Sequence, residues 1–227
     1  METFFDCHTH EVYEGRTGFL IALDGDSGSA GGYSNREVID VAMENKMIPV
    51  QYVTSKLEKG VETDIIKFHP RREKYLMEDI ACYIKKYCPK GVILDTLNQP
   101  YMQPNDYWWL VKKFPNVQFL LSHAGGFDVL VFLQIAMFQE NAWIDFSHVQ
   151  HLFGWCGENI TLPHVKENID YALMNERIYK KILFGSDNMR NEVDLAIEAL
   201  ERYKYFESYE QVVNRNYKIF LEACGYE

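Results

Sequence analysis

Short β-prone runs alternate with helical patterns along nearly the whole chain, and this alternation restricts the folds open to it. The runs are 3–10, 18–23, 48–54, 64–69, 91–97, 117–123, 142–147 and 181–187. Helical periodicity predicts helices between most of them, at 35–45, 78–87, 105–114, 127–138, 165–177 and 192–205. Ser34 is the expected N-cap of the first, and Ile80, Ala81 and Ile84 recur at helical spacing in the second. A last helix, 208–224, stops before Gly225. Only the connection 55–63 is too short for a full helix. Strands alternating with helices build a parallel sheet. Eight such units predict an α/β fold, a closed (β/α)8 TIM barrel, in a single domain over residues 1–227. An open doubly wound sheet is the other arrangement. Against it, Gly25, Gly28, Gly31 and Gly32 have neither the G-x-G-x-x-G nor the G-K-S/T spacing of a nucleotide loop. Segment 24–33 reads as a flexible loop, either a lid or plain surface.

A chain of 227 residues, 47% hydrophobic and 25% charged, can bury one full core. No apolar run reaches membrane-span length, and no secretory signal is visible. The net charge of −10 argues against nucleic acid or an anionic membrane as a partner. It leaves room for a local basic pocket. The five cysteines form no C-x-x-C pair and are odd in number, which reads as reduced thiols in a cytoplasmic protein. A homo-oligomer stays open.

In a barrel of this kind the active site lies at the C-terminal ends of the strands. Here those ends carry reactive side chains. His8 and His10 close the first run; residues two apart in a strand share a face, with Cα atoms roughly 6.5 Å apart, so both imidazoles can reach one metal ion. On their own, they are equally two polar residues at a strand end. Lys67-Phe68-His69-Pro70 closes the fourth run, Asp95 and Asn98 the fifth, Ser122-His123-Ala124-Gly125-Gly126 the sixth, Asp145-Phe146-Ser147-His148 the seventh, and Phe184-Gly185-Ser186-Asp187 the eighth. One such residue means little, whereas the set on one rim is a joint signal.

This order of motifs resembles the amidohydrolase superfamily, and within it the small TIM-barrel metal-dependent hydrolases of the amidohydrolase 2 branch. The likeness rests on His8-x-His10, His123-Ala-Gly-Gly and Phe184-Gly-Ser-Asp187, supported by Asn214-Arg215-Asn216-Tyr217-Lys218-Ile219-Phe220. It covers almost the whole chain. It implies His8, His10 and Asp187 as metal ligands and Asp187 as the general base. His123 would be a further ligand or would polarise the substrate. It implies hydrolysis of a small-molecule amide or lactone. A non-oxidative decarboxylase on the same scaffold is the alternative, as is a degenerate barrel that binds a metabolite without turnover.

The chain departs from the family where the fifth strand usually ends in a histidine ligand; Asp95 stands there. The fourth strand also lacks a bridging glutamate. The expectation is therefore one divalent ion, zinc or else manganese, with His69, Asp95 or His123 completing its shell. A metal-free site of the lactonase kind remains open, and carboxylation of Lys67 is the less favoured variant. Arg71 and Arg72 suit a carboxylate or phosphate on the substrate, although one of two adjacent arginines is expected to be a solvated charge. Asp95, Asn98 and His148 are the other candidates for substrate contact. His148 and His151 frame Val149-Gln150 beyond the seventh run, where a place in the pocket and a hydrogen-bonded structural role are equally open; His164 reads as structural, and Tyr101, Trp108 and Trp109 as core.

Overall fold

The computed structural model describes residues 3–23, 32–58, 63–98, 100–152, 155–156, 162–188 and 195–227. Seven strands form one parallel sheet in sequence order: β1 (Phe4–Thr9), β2 (Arg16–Ile21), β3 (Ile48–Tyr52), β4 (Ile65–Phe68), β5 (Gly91–Asp95), β6 (Gln118–Ser122) and β7 (Ala142–Ile144). The helices α1 (Asn35–Glu44), α2 (Pro70–Glu73), α3 (Met77–Tyr87), α4 (Pro104–Lys113), α5 (Val129–Phe138), α6 (Val149–Leu152), α7 (Pro163–Met174), α8 (Glu176–Tyr179), α9 (Leu195–Tyr203) and α10 (Asn216–Ala223) follow in the expected alternation. Ser34 caps α1 through a reciprocal capping box with Glu37.

The eighth expected strand differs. Segment 181–188 forms no regular strand, yet its backbone bonds to both sheet edges. At β7, Ile144 donates to Lys181 and Leu183 donates to Ile144. At β1, Cys7 donates to Phe184 (2.8 Å), Asp187 to His8 (2.7 Å) and His10 to Asn188 (2.8 Å). The left-handed backbone of Asp187, at φ 59°, interrupts the extended geometry a ladder requires. Other boundaries shift for local reasons. The helix expected at 165–177 divides at Asn175, whose side chain caps α8 by accepting from the Arg177 amide. The helix expected from 127 begins at Val129, after a tight turn over His123–Asp128. The last helix contains a π-type turn at Gln211–Arg215. Most of the proposed 24–33 loop, together with 59–62 and 192–194, lies outside the described residues. Among the described residues no helix is long and apolar enough to cross a membrane.

Two cores position the site. On one face of the sheet, Phe5, Cys7, Phe19, Ile21, Val50, Ile65, Ile93, Leu120, Trp143 and Leu183 pack together with Phe220 and Cys224 of the last helix. On the other, Ile66, Phe68, Val92, Leu94, Phe119, Leu121 and Ile144 meet helix residues such as Ile80, Ile84, Leu110 and Phe132. This is the strand period of two with both faces buried.

Candidate active site at the strand ends

The alternation that fills the inner core also aims the polar residues. Lys67 follows Ile65 by two positions, Asp95 follows Ile93, and Asp145 follows Trp143, so each continues the inner face of its strand toward the C-terminal end. All three are buried. In β1 the period breaks. The register steps from Asp6↔Gly18 to Thr9↔Leu20, a bulge with one extra residue on β1. Phe5 and Cys7 belong to the inner core before it, and His8 and His10 point to the site after it.

His8 and His10 converge on one carboxylate. Nε2 of His8 lies 3.2 Å, and Nε2 of His10 3.5 Å, from Oδ1 of Asp187. The opposite nitrogens are committed. Nδ1 of His10 donates to the Ile21 carbonyl at 2.8 Å. Nδ1 of His8 faces Ser147 Oγ at 3.0 Å and Asp145 Oδ2 at 3.4 Å. Such bonds fix the tautomer and leave each Nε2 lone pair for a ligand. Burial, then the charge of Lys67, lowers the His8 pKa to about 4 and lowers that of His10 as well. Burial opposes ionisation of Asp187, but His8, the hydrogen bond to His10, and His123 outweigh it and hold the carboxyl well below its usual range. One donor atom each from His8, His10 and Asp187 lie within 4.8 Å of one another, as do donors from His8, His123 and Asp145. Neutral imidazoles beside an ionised carboxylate, with their far nitrogens anchored, fit a divalent cation of the zinc or manganese kind. Lys67 Nζ, 2.8 Å from His8 Nε2, competes for that position, and burial lowers its pKa too.

Asp95 organises the opposite wall. Its Oδ2 lies 3.0 Å from His69 Nε2, 3.4 Å from Arg71 Nη2 and 3.5 Å from His123 Nε2, and its Oδ1 accepts from the Leu97 amide. His123 Nδ1 donates to the Ser147 carbonyl at 2.8 Å. Burial disfavours a charged His123, but the bond to Asp95, then the charges of Asp187 and Asp145, raise its pKa to about 9.

The loops carrying these groups are held in backbone conformations that cost energy. His123, Ala124, His148 and Asp187 all have positive φ, between 40° and 65°. Gly125 continues the turn at φ 78°, where a Cβ would meet the Phe132 ring at 2.0 Å. Gly185 lets the Phe184–Asp187 segment lie against β1; a Cβ there would stand 2.9 Å from that of His8.

A cavity of about 540 Å³ opens over these groups, lined by His10, Lys67, His69, Arg71, Arg72, Asp95, His123, His148, His151 and Asp187, with Leu23 and Leu152 as apolar walls. His148, 43% exposed, places Nδ1 3.4 Å from Asp187 Oδ2. The structure thus gathers nearly every residue expected in the site. His69 turns to Asp95 and joins neither donor cluster. Asn98 is a correction: it lies outside the cavity, donating to Asp128 (2.7 Å) and accepting from the Phe127 amide (2.7 Å), so it braces the loop after β6. Trp108 packs against the core, whereas Tyr101 and Trp109 are exposed on the surface, contrary to the core reading.

Four supporting residues, Asp6, Asp145, Ser147 and Ser186, had no role assigned to them from the sequence. Asp145 Oδ1 accepts from the amides of His123 (3.1 Å) and Ser147 (2.9 Å) and from the Ser147 hydroxyl. Buried Asp6 accepts from the Ser186 amide and hydroxyl (3.0 and 2.6 Å) and from the His8 amide (3.1 Å), tying the Asp187 segment to β1. Burial raises the Asp6 pKa to about 6. The D-x-S and G-S-D spacings were the available signal.

The sequence matches no family model and no curated protein. Solved structures do share the fold. An uncharacterized TIM-barrel protein from Bordetella bronchiseptica superposes with a TM-score of 0.68 at 19% identity, over 93% of this chain and 79% of that one. An amidohydrolase 2 from Bifidobacterium longum subsp. infantis gives a TM-score of 0.60 at 14% identity over 100% of both chains. At such identities the likeness is one of fold, and the fold is of TIM-barrel type.

Proposed function

We propose that this chain is a metal-dependent hydrolase of the amidohydrolase type, acting on a small-molecule amide or lactone. The observation that carries the reading is the convergence of His8, His10 and Asp187 with both imidazoles anchored from behind. The fold shared with an amidohydrolase 2 supports it, as do the strand-end motifs. We read the fold as one (β/α)8 domain whose eighth stave is the 181–188 segment. The unpaired state of Cys7, Cys82, Cys88, Cys156 and Cys224 supports a cytoplasmic setting.

His8, His10 and Asp187 would hold one zinc or manganese ion. When bound, the ion supplies Lewis acidity, which polarises a carbonyl and acidifies water. Asp187, ionised and facing the cavity, takes the proton of the attacking water. Hydroxide oxygen bonds to the carbonyl carbon, the C–N or C–O bond breaks, and the proton held by Asp187 passes to the leaving nitrogen or oxygen. His123, kept charged by Asp95 on the cavity wall, stabilises the negative charge that develops on the carbonyl oxygen by its own positive charge.

The test pairs elemental analysis of protein purified without chelator with turnover of an amide and lactone panel before and after chelation. About one equivalent of metal and chelator-sensitive turnover are expected. Turnover that ignores the chelator would favour the metal-free lactonase. Carbon dioxide release from a carboxylate panel, without hydrolysis, would favour the decarboxylase. Metal-independent ligand binding with no turnover would favour the degenerate barrel.

A further inference from the structure

We infer that Asp95 builds an oxyanion receptor on one wall of the pocket, and that the substrate carries a carboxylate or phosphate held there by Arg71 and Arg72. This deepens the hydrolase reading and rests on taking the pocket as the substrate site.

Asp95 is fully buried, and its Oδ2 draws in His69, Arg71 and His123, each of which lines the cavity. A carboxylate in that position does not offer the substrate an acceptor, because its oxygens are already occupied by donors. It fixes the donors instead. Arg71 gives Nη2 to Asp95 at 3.4 Å, yet its side chain stays 46% exposed. A guanidinium has five N–H donors in a rigid fork, so the remaining donors are preorganised for a second oxyanion. Arg72, the next residue on α2, also lines the cavity, and among the described residues it makes no ion pair. The charge of the cavity runs opposite to that of the chain. The protein carries a net −10, whereas Lys67, Arg71 and Arg72 line the cavity against Asp95 and Asp187. A cationic recess in an acidic protein concentrates small anions where it lies and not over the surface at large.

This assigns the fifth-strand position a different task from metal ligation. Asp95 is a positioning residue acting through Arg71, which gives a sign that separates it from simple charge. Removing its negative charge should strengthen anion binding if only net charge matters. It should weaken binding if Asp95 holds the arginine fork in place.

The experiment is calorimetric titration of benzoate, phthalate and phenyl phosphate, each against its uncharged amide or alcohol counterpart. It is run on the chelator-treated and on the zinc-loaded protein. At least one oxyanion is expected to bind about tenfold tighter than its neutral counterpart in both forms, a preference that weakens with salt. The carboxylate and phosphate arms distinguish the two oxyanions. Arg72→Gln and Asp95→Asn should each weaken that binding by about tenfold while melting temperature shows both are folded. Should Asp95→Asn fail to fold, Arg71→Lys keeps the charge, loses the fork, and is expected to weaken binding likewise. No oxyanion preference in any pair, tighter binding by Asp95→Asn, or parental binding in both arginine variants overturns the inference. Because binding is read without turnover, oxyanion binding with neither metal nor hydrolysis would sink the hydrolase reading alone. Metal-dependent turnover without oxyanion preference would sink only the receptor.

Discussion

Lys67 Nζ lies 2.8 Å from His8 Nε2, the same nitrogen that faces Asp187. Both side chains are buried, so solvent screens their environment poorly. An ammonium there repels a divalent cation by about 4 kcal/mol per pair of unit charges at ~4 Å in an effective dielectric of about 20. Lys67→Met keeps the aliphatic bulk and removes that charge. It should tighten zinc binding by at least about tenfold in competition with a chromophoric chelator. Weaker binding in the variant would mean that Lys67 serves the metal as a ligand, as a carboxylated lysine would.

The donors should also keep their metal in acid. An ordinary imidazole begins to lose metal to protons as pH falls through about 6.5. Burial first, and the Lys67 charge second, bring His8 down to about 4, and His10 moves the same way. A lowered pKa means that the neutral, ligating form persists below the usual value and disappears only as pH falls through the lowered one. Zinc occupancy, followed by equilibrium dialysis, should therefore persist through about pH 5.5 and fall toward about pH 4. Loss centred near the ordinary imidazole value would contradict the burial argument.

Gly185→Ala should damage both fold and site. The added methyl would stand 2.9 Å from His8 Cβ, 3.1 Å from Cys7 Sγ and 3.3 Å from Ser147 Cβ. Two of these atoms are Cβ carbons fixed to the backbone, so they cannot swing away as a flexible side-chain tip would. Overpacking of this kind costs about 1–3 kcal/mol. Urea unfolding should show that loss, and zinc content should fall because His8 and Asp187 move apart. A variant with parental stability and metal would show that β1 and the 181–188 segment are less closely joined than their hydrogen bonds imply.

His8, His10, His123 and Asp187 were legible because strand-end chemistry travels with the residues themselves, and strands of a parallel sheet end on one rim. What the sequence hid is geometry that depends on partners far along the chain. The bulge in β1 has no local signature, yet it decides that Cys7 joins the core and that His8 meets Asp187. Asn98 looked available because it follows Asp95, but its partners are Asp128 and Phe127, thirty and twenty-nine residues away. Segment 181–188 carried enough β-prone residues to predict a strand. The segment instead meets each edge through one isolated bridge, Ile182 at β7 and Asn188 at β1, with Asp187 in a left-handed turn between them. Asp95 was readable as a departure from the family pattern, whereas its role as acceptor for His69, Arg71 and His123 was not.

Asp187 carries the largest expected effect. Of the two carboxylates lining the cavity, Asp95 is engaged by the side chains of His69, Arg71 and His123, while Asp187 keeps contact with His8, His10 and the open space. His123 is held charged, so it has no lone pair with which to act as a base. Asp187→Asn suits the backbone, because asparagine tolerates the left-handed conformation that Asp187 adopts at φ 59°. The substitution therefore removes basicity with little strain, and kcat should fall by at least about a hundredfold. Metal content must be measured with the rate, since the same oxygen faces His8 and His10. The pH profile gives a second check. Asp187 stays ionised until pH falls well below the ordinary carboxylate range, so its protonation does not set the parent's upper acid limb; His8, titrating at about 4, does. An Asp187→Asn enzyme with bound metal and near-parental kcat would reduce Asp187 to a structural turn residue, and the proposed chemistry would have no base left in the cavity.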